Sequence, residues 1–368
     1  MLIRNLLNDN LNEKVKIGTV PYIEIGDINI ETKKYSLKDK GAVGGAKYAY
    51  KNNILVSTVR PTRGAITIVN ENKIAVSSAF TILNVNEKIC NYRFLFYYLN
   101  NENFFEYLGS NSKGATYPTC SKDDVLDYEI ILPDIDTQNK IVSLFDNITK
   151  NIFLKNEQIN LCNNLIKSQF VEMFGNYDLT TNLSKYIKEL RGGKSLAGTE
   201  VCINKVLKTG AATFGWFDSN QFKYLPKNYI PLEEHKVETG DVIISRMNTP
   251  ELVGACSYVF KAPDNMYYPD RLWKTILKDN NNPIFLWQLL WDDKIRKQIK
   301  ENSAGTSGTM QNISKQKLLE IKCIDAPIEL QNKFAKIFEQ IDKQKFEFEN
   351  SLKKLEELQA SLMQEYFG

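Results

Sequence analysis

The sequence predicts an α+β (mixed α/β) fold, with two pseudo-symmetric domains joined by two long antiparallel coiled-coil helices. The first observation behind this prediction is a gapless internal repeat, in which Gln138-Asn139-Lys140 recurs as Gln331-Asn332-Lys333. Across 116–175 and 309–368, 18 of 60 positions are identical. Two copies of so long a unit indicate a duplicated chain, since a solenoid needs several shorter repeats. A length of 368 residues also suits two domains.

The second observation is a seven-residue apolar period within each copy, uninterrupted by Pro or Gly from Gln138 to Phe174 and from Gln331 to Phe367. A period of about 3.5 residues predicts a coiled-coil seam, although two ordinary core helices are the alternative. Two related helices in one chain can bury their seams on each other, which favours the coiled coil. The predicted seam residues are Ile141, Phe145, Ile148, Ile152, Ile159 and Ile166 in the first helix, and Phe334, Phe338, Ile341, Phe348, Leu355 and Leu362 in the second.

The third observation is that short β-branched runs and helical patterns precede each long helix in the same order. These patterns predict strands at Asn53–Val59, Ala65–Val69, Ala79–Leu83 and Tyr128–Leu132, a helix at Tyr92–Leu108 and a capped turn at Ser121 in the first half. In the second half they predict strands at Asp241–Ser245, Ala255–Phe260 and Ile321–Ile324, a helix at Ile284–Gln298 and a loop at Asn302–Asn312. The predicted domains are 1–135 and 176–328, followed by long helices at 136–175 and 329–368.

Composition excludes several classes of protein. The net charge is only +3, so contact with nucleic acid would need a local basic patch. Six cysteines lie at wide spacings without a CxxC pair, which favours reduced thiols in a cytoplasmic protein over zinc or disulfides. The chain has no run of 18 apolar residues and no apolar N-terminal stretch, so neither a membrane span nor a signal peptide is expected.

Catalytic patterns are weak throughout the chain. No glycine-rich cofactor loop follows a predicted strand, so we expect no cofactor and no bound metal. One nuclease-like combination exists, in which Asp270, Asp292 and Lys294 could hold a metal ion and activate water. Asp292 lies in a predicted helix, however, where that chemistry needs a strand. The sequence therefore predicts a protein that is not an enzyme.

The repeated motifs resemble those of the specificity subunit of Type I restriction–modification systems. The first copy carries Leu132-Pro133, Gln138-x-Lys140-Ile141 and a helix that ends in Ser168-x-x-x-Glu172-x-Phe174-Gly175. The second copy keeps Gln331-Asn332-Lys333-Phe334 and Ser361-x-x-x-Glu365-x-Phe367-Gly368, with its proline shifted to Pro327. The doubled arrangement covers almost the whole chain and is more specific than either motif alone.

This resemblance implies two target-recognition domains, each reading one half of a split double-stranded DNA sequence. The long helices would separate the domains and dock two modification (methyltransferase) subunits, which carry S-adenosylmethionine in that family. Restriction subunits, where present, would carry the nuclease and translocase. In one respect the chain departs from the family pattern. The second copy opens with Leu183–Gly193, whereas the sequence predicts that the first copy lacks this segment and starts at about Val15–Gly18, either because the domain is shortened or because the chain was trimmed or recombined.

Candidate DNA contacts are polar and basic residues in loops that follow strands, because such side chains reach base edges and phosphates. In the first domain they are Ser57, Thr58, Arg60, Thr62, Arg63, Ser112, Lys113, Thr116 and Tyr117. In the second domain they are Ser245, Arg246, Asn248, Arg271, Lys274, Ser303, Thr306, Thr309 and Gln311. Arg60 and Arg246 are predicted to stand at corresponding strand ends. The alternative functions are a coiled-coil scaffold that reads no DNA and the metal-dependent nuclease described above.

Overall fold

The computed structural model describes residues 1–8, 15, 20–38, 44–307 and 309–368, apart from the side chains of residues 306 and 307. The chain forms two compact units. The first unit contains Met1–Asn156 and Glu349–Gly368, and the second contains Glu157–Phe348. Each unit therefore combines one domain with parts of both long helices.

In its described residues, the first unit contains two small sheets, three short helices and parts of both long helices. Its elements are β1 (Tyr22–Ile23), β2 (Lys47–Tyr50), β3 (Ile54–Ser57), β4 (Ile66–Ile68), β5 (Lys73–Val76), β6 (Phe80–Leu83), α1 (Tyr92–Tyr98), α2 (Glu102–Ser110), α3 (Lys122–Leu126) and the start of α4 (Ile135–Phe174). One sheet has the order β4-β3-β6 and is antiparallel, and the other has the order β1-β5-β2. All four residues of β3 are buried, so this strand forms the centre of the domain.

The second unit repeats this plan with additional strands. Its elements are β7 (Thr181–Asn182), β8 (Ile187–Arg191), β9 (Lys205–Leu207), β10 (Phe222–Tyr224), β11 (Val242–Ser245), β12 (Met247–Asn248), β13 (Cys256–Tyr258), β14 (Met266–Tyr267), β15 (Leu272–Leu277), α5 (Pro283–Leu290), α6 (Asp293–Asn302), β16 (Ala304–Ser307), β17 (Met310–Asn312), α7 (Lys315–Leu319), β18 (Lys322–Cys323) and α8 (Ile328–Phe367). The sheet β13-β11-β15-β8 corresponds to β4-β3-β6, and β11 is again wholly buried. The other sheets are β10-β9-β14, β12-β17-β16 and β18-β7.

The long helices α4 and α8 run antiparallel within the first unit. The rings of Phe145 and Phe367 lie 5.4 Å apart, and Gln359 Nε2 donates to Thr149 Oγ1 at 3.4 Å, so residue numbers rise along α4 while they fall along α8. In the second unit, the Phe170 and Phe334 rings lie 5.3 Å apart. Of the predicted seam residues, Ile141, Phe145, Ile148, Ile166, Phe334, Phe338 and Ile341 are buried, and Ile152, Ile159, Phe348, Leu355 and Leu362 are half-buried.

The repeated Gln-Asn motif ties each long helix to its own domain. Gln138 is buried, its Oε1 accepts from the backbone N–H of Asn91 at 2.8 Å, and its Nε2 donates to Pro133 O at 2.8 Å. Asn91 caps α1, and its Nδ2 donates to Asn139 Oδ1 at 2.8 Å. A buried amide that satisfies backbone groups at two helix starts fixes the angle between them.

The second copy repeats this joint with the same atoms. Gln331 Oε1 accepts from Asn282 N–H at 2.9 Å, and Asn282 Nδ2 donates to Asn332 Oδ1 at 2.9 Å. Gln331 Nε2 donates to Ala326 O at 2.8 Å, and Asn282 caps α5. The Gln-Asn identity in the sequence therefore records a structural joint, which explains why it survives in both copies while the loops differ.

Some predicted elements differ from the structure. The predicted helix Tyr92–Leu108 is divided into α1 and α2 because the Asn101 side chain accepts from Phe104 N–H and starts a new helix. Ile284–Gln298 is divided in the same way by Asp292, which caps α6. Tyr128–Leu132 forms a single bridge, Glu129 with Leu2, rather than a strand. The predicted loop Asn302–Asn312 contains β16 and β17. The capped turn at Ser121 is confirmed as the capping box of α3.

The predicted absence of an opening segment in the first copy is wrong. In the second unit, Leu183 N–H donates to Ile321 O at 3.0 Å and Lys278 N–H donates to Tyr186 O at 2.9 Å. In the first unit, Ile3 N–H donates to Tyr128 O at 3.1 Å and Asn86 N–H donates to Leu6 O at 2.8 Å. Ile3–Leu6 thus takes the place of Leu183–Tyr186, although no residue is shared between them. Of the predicted start at Val15–Gly18, residues 16–18 lie outside the described residues.

Candidate nucleic-acid interface

In the first unit the backbone brings the two candidate loops together. Beyond the end of β3, Val59 forms a β-bridge with Thr119, and Arg60 N–H donates to Pro118 O at 2.7 Å. Cys120 N–H donates to Thr58 O at 3.0 Å. These bonds hold the loop after β3 against the loop after α2, so candidate residues far apart in sequence share one surface.

Arg60 is the most constrained side chain of this surface. Its backbone is left-handed, with φ of 48°, at the start of the turn Pro61–Arg63. Its guanidinium lies 4.2 Å from the centroid of the exposed Tyr117 ring, and Nη2 donates to Thr116 O at 3.4 Å. A guanidinium held over an aromatic ring has fewer orientations for its planar fork of donors, which suits recognition of a planar acceptor pair.

The other candidates of the first unit divide into exposed and internally bonded side chains. Thr62, Arg63, Lys113 and Thr116 are exposed beside Arg60 in the chain or in the paired loop. The remaining hydroxyls are used locally: Ser57 Oγ is buried and donates to Val59 O, Thr58 Oγ1 donates to Ala79 O, and Ser112 Oγ donates to Leu108 O. Ser57, Thr58 and Ser112 therefore shape the loops, and the structure does not support direct contacts from them.

In the second unit the same pairing is made by strands. β12 pairs with β17, with Met247 opposite Asn312 and Asn248 opposite Gln311. Ser245 is buried, and its Oγ donates to Met247 O at 3.3 Å, as Ser57 does to Val59 O. Arg246 N–H donates to Arg271 O, and Ile313 N–H donates to Arg246 O. The loop after β11 is thus held against the segment after α6, as in the first unit.

These bonds correct the predicted correspondence of Arg60 and Arg246. Cys120 N–H donates to Thr58 O in the first unit, and Ile313 N–H donates to Arg246 O in the second, so Arg246 stands where Thr58 stands. Arg60 faces Pro118 and Asn248 faces Gln311, so the residue equivalent to Arg60 is Asn248. The predicted correspondence was wrong by two residues, although Ser57 and Ser245, identical at the ends of β3 and β11, give the register that the structure shows.

The side chains of Arg246 and Lys274 are less exposed than their predicted DNA contacts require. Arg246 is half-buried with its guanidinium 5.7 Å from the Trp273 ring, and its buried Nε has no hydrogen-bond partner among the described residues. Lys274 is buried and forms ion pairs with Glu238 and, at 3.1 Å, with Asp241. The hydrogen bond from Lys274 lowers the pKa of Glu238, whereas burial raises the pKa of Asp241 despite the nearby ammonium. Lys274 thus pairs with the buried Asp241 and the exposed Glu238, and its predicted DNA contact is not supported.

The Asn248 side chain makes three polar contacts with neighbouring residues. Its Nδ2 lies 3.4 Å from Thr213 Oγ1 and 3.5 Å from Ser245 Oγ, and its Oδ1 accepts from Thr249 N–H at 2.9 Å. Gln311, opposite it, accepts from the Ser303 hydroxyl, while Arg271 and Thr309 are exposed. Thr306 lies in β16, and its side chain is outside the described residues. Asn248, Gln311 and Ser303 form one polar group on this face.

Sequence reasoning missed one feature of this face, the exposed aromatic pair Phe214 and Trp216. Both follow Thr213, whose hydroxyl contacts Asn248. The only signal in the sequence is the tripeptide Phe214-Gly215-Trp216 within a segment of small and polar residues. An apolar pattern without period gives no indication of whether its rings are buried.

Neither the nuclease combination nor a membrane segment finds support. Asp292 caps α6 through its side chain, and Asp270 is hydrogen-bonded to Ser195. Within the described part of the chain, no three His, Cys, Asp or Glu side chains cluster as metal ligands would. None of the helices in the described ranges combines the length and apolar composition needed to cross a bilayer.

The chain belongs to the family described as the Type I restriction modification DNA specificity domain, whose model matches residues 4–163 and 196–360. Two matched segments in one chain agree with the duplicated α+β fold.

Similar proteins are specificity subunits. The Type I restriction enzyme EcoKI specificity subunit of Escherichia coli is 23% identical over 193 residues, covering 50% of this chain and 41% of that protein. The HindI specificity subunit of Haemophilus influenzae is 32% identical over 143 residues, covering 36% and 31%. The matches thus span less than half the length of these two relatives.

Solved structures share the fold over the whole chain. A chain from a study of complex assembly and conformational transition of the type I R-M system has a TM-score of 0.62 at 17% identity, covering 100% of this chain and 96% of that one. The Type-I restriction-modification system S subunit from M. genitalium has a TM-score of 0.61 at 16% identity, covering 100% and 95%. The predicted fold class is therefore confirmed.

Proposed function

We propose that this chain is the DNA-recognition subunit of a Type I restriction–modification complex and that it acts in the cytoplasm. Domains 1–135 and 176–328 each read one half of a bipartite duplex target, and the helical segments 136–175 and 329–368 dock modification subunits. The chain itself carries no catalysis and no cofactor. The observation that supports the proposal is that Arg60 and Asn248 stand at the same place between two paired loops, and that both are residue types able to form two hydrogen bonds with one base.

The chemistry of these two side chains differs. A guanidinium forks to O6 and N7 of guanine, whereas a carboxamide pairs with N6 and N7 of adenine, and each contact is worth about 1–3 kcal/mol of discrimination. Arg63 and Lys113 in the first unit and Arg271 in the second hold phosphates and set the register. Arg60 thus reads a guanine in one half-site, and Asn248 reads an adenine in the other.

The test is methylome sequencing of the modification complex assembled with Arg60→Ala or Asn248→Ala. We expect each substitution to relax one base position in its own half-site and to leave the other half-site unchanged. Arg63→Ala is the control for a phosphate contact: it should weaken binding evenly over all sequences and lower the salt slope by about one. A change in both half-sites from one substitution would contradict independent reading.

A salt titration with duplex DNA separates recognition from the scaffold alternative. A DNA reader that neutralises several phosphates loses affinity steeply between 50 and 200 mM salt, by about a thousandfold or more for six contacts. A scaffold would bind no duplex even at the lower salt concentration. Absence of binding by the assembled complex would therefore favour the scaffold.

Duplicated exposed side chains support docking of a partner that is present twice. Phe153 and Phe346 are identical in the repeat and are 52% and 61% exposed, and Leu165 and Leu358 are both 47% exposed. Each unit thus contains one Phe and one Leu of these pairs. Large apolar residues gain little free energy at an exposed position, so their presence in both copies is explained by a contact made twice.

We expect Phe346→Glu to weaken assembly with the modification subunit, because a charge would enter an apolar interface, and Phe153→Glu to act in the same way. The measurement is co-purification and analytical ultracentrifugation. Leu154→Glu is a matched control: Leu154 is 46% exposed, but its counterpart in the repeat is already Glu347. Loss of assembly by the control alone would contradict the assignment of the duplicated residues.

A further inference from the structure

The loop that carries Phe214 and Trp216 is anchored at both ends. Thr213 is buried and donates from Oγ1 to Thr209 O at 2.9 Å. Phe217 packs against the buried cluster that contains Leu207, Val259 and Tyr268. Between these anchors, Phe214 and Trp216 are 60% and 63% exposed. The two rings therefore project from a held segment.

The projecting rings form a unit of their own. Their centroids lie 5.7 Å apart with an interplanar angle of 29°, in a stacked arrangement. Gly215 between them has φ of 87°, and a Cβ there would lie 3.4 Å from the Trp291 ring, so the backbone bends tightly over a supporting indole. Burying one such side chain elsewhere would stabilise the fold, so two adjacent exposed rings mark a surface for contact.

The position of the pair indicates what it contacts. Thr213, next to Phe214, has its hydroxyl 3.4 Å from Asn248 Nδ2, so the pair continues the proposed reading surface of the second unit. In the first unit, the centroid of the exposed Tyr117 ring lies 4.2 Å from the guanidinium of Arg60, the residue equivalent to Asn248. Each unit thus has an exposed aromatic residue near its proposed reading side chain: Tyr117 contacts Arg60, and Phe214 follows Thr213, which contacts Asn248.

We propose that Phe214 and Trp216 form an aromatic wedge that enters one base step of the half-site read by the second unit. This inference rests on the proposed function. The segment Thr213–Phe217 contains no charged side chain, and the two rings that it exposes are largely apolar. The apolar surfaces of DNA that match a flat ring are the faces of bases, and a duplex exposes them only where a step is unstacked. Pyrimidine–purine steps open most easily, so the wedge adds a preference for such a step beside the adenine read by Asn248.

The test uses the modification complex and a duplex with the target sequence found by methylome sequencing. 2-Aminopurine replaces one base at a time in the half-site that Asn248→Ala alters. We expect its fluorescence to rise at one step with the wild-type chain, and this rise to be absent with the Phe214→Ser/Trp216→Ser variant. The variant should also bind the duplex roughly ten- to a hundredfold more weakly, as expected for lost aromatic–base stacking. Ile230→Ser is the control, since Ile230 is 87% exposed in the same unit and should change neither signal.

Three results would overturn the wedge: unchanged affinity of the double variant, no fluorescence rise at any step with the wild-type chain, or failure of the double variant to assemble with the modification subunit. The third result would assign the rings to a protein contact. A wild-type complex that binds no duplex would instead overturn the proposed function itself. Thermal unfolding of the double variant should match the wild type because both side chains are exposed, so weaker binding cannot be attributed to unfolding.

Discussion

The two units differ most where they are expected to meet DNA and least where a domain joins a long helix. At the joints, Gln138 and Gln331 make the same bond to an N-cap asparagine at 2.8 Å and 2.9 Å. At the proposed reading positions, Arg60 has a left-handed backbone beside Tyr117, whereas Asn248 lies in a strand beside Thr213. The duplication thus keeps the residues that orient each domain, while the loops proposed to read DNA differ.

This contrast follows from the number of hydrogen bonds that the side chain makes at each position. A buried amide such as Gln138 must satisfy several backbone groups at once, so substitution leaves some of them unpaired. A loop held by backbone bonds, such as Val59 to Thr119, tolerates any side chain that points outward. The residues at the joints are therefore identical, and the loop residues different, for the same reason. Substitutions at matched positions in the two units can test this explanation.

The largest effect is expected from charge in the two helix seams. Ile148 in the first unit and Ile341 in the second are both buried. Replacing either with Asp buries a carboxylate without a partner, so we expect each unit to lose at least about 4 kcal/mol of unfolding free energy. The measurement is the yield of folded protein and urea unfolding of each single variant and of the double variant.

Ile148→Val and Ile341→Val are the matched controls, with an expected loss of about 0.5–1.5 kcal/mol each. If the Asp variants kept the wild-type unfolding midpoint and still assembled, the seam would not be a buried contact. If only one of them lost stability, the two seams would not be equivalent.

A smaller effect is expected at the joints. Gln138→Leu and Gln331→Leu each leave an N-cap N–H and a carbonyl unpaired, with an expected cost of about 2–4 kcal/mol. Hydrogen exchange should quicken first at the start of α1 for Gln138→Leu and at the start of α5 for Gln331→Leu. Lys140→Ala and Lys333→Ala, the exposed third residues of the motif, should leave both readouts unchanged. Equal exchange in both helices from one substitution would contradict separate joints.

Much of the fold could be predicted because duplication and period are properties of the chain itself. The repeat predicted two long helices, and the buried strands β3 and β11 lie within the predicted runs Asn53–Val59 and Asp241–Ser245. The breaks at Asn101 and Asp292 could not be predicted from period, because each cap acts through one or two hydrogen bonds from a single side chain inside an apolar pattern. The opening segment Ile3–Leu6 was missed because its equivalence to Leu183–Tyr186 lies in backbone pairing, and the two share no residue.

The sequence predicted which loops form the candidate interface, but it did not predict the role of each residue in those loops. Arg60 and Tyr117 were selected as members of polar and basic loops, and the structure places the Arg60 guanidinium 4.2 Å from the centroid of the Tyr117 ring. Arg246 and Lys274 satisfied the same criteria, yet one is half-buried and the other belongs to a buried ion pair. Composition cannot distinguish a charge that faces solvent from one that a neighbouring carboxylate holds inside, since that depends on contacts between distant residues.

The smallest effect, and the finest test of the comparison, concerns the exposed half of each joint. Asn139 Oδ1 accepts from Asn91 Nδ2 at 2.8 Å, and Asn332 Oδ1 accepts from Asn282 Nδ2 at 2.9 Å, both at exposed positions. Water replaces a lost partner there, so Asn139→Ala and Asn332→Ala should each cost only about 0.5–1 kcal/mol, and equally in both units. Asn139→Asp and Asn332→Asp keep the acceptor and should cost less. The two Ala substitutions share no partner, so their losses in urea unfolding should add in the double variant. A loss of unfolding free energy several times larger at one joint than at the other would show that the duplicated motif does not stabilise the two copies equally.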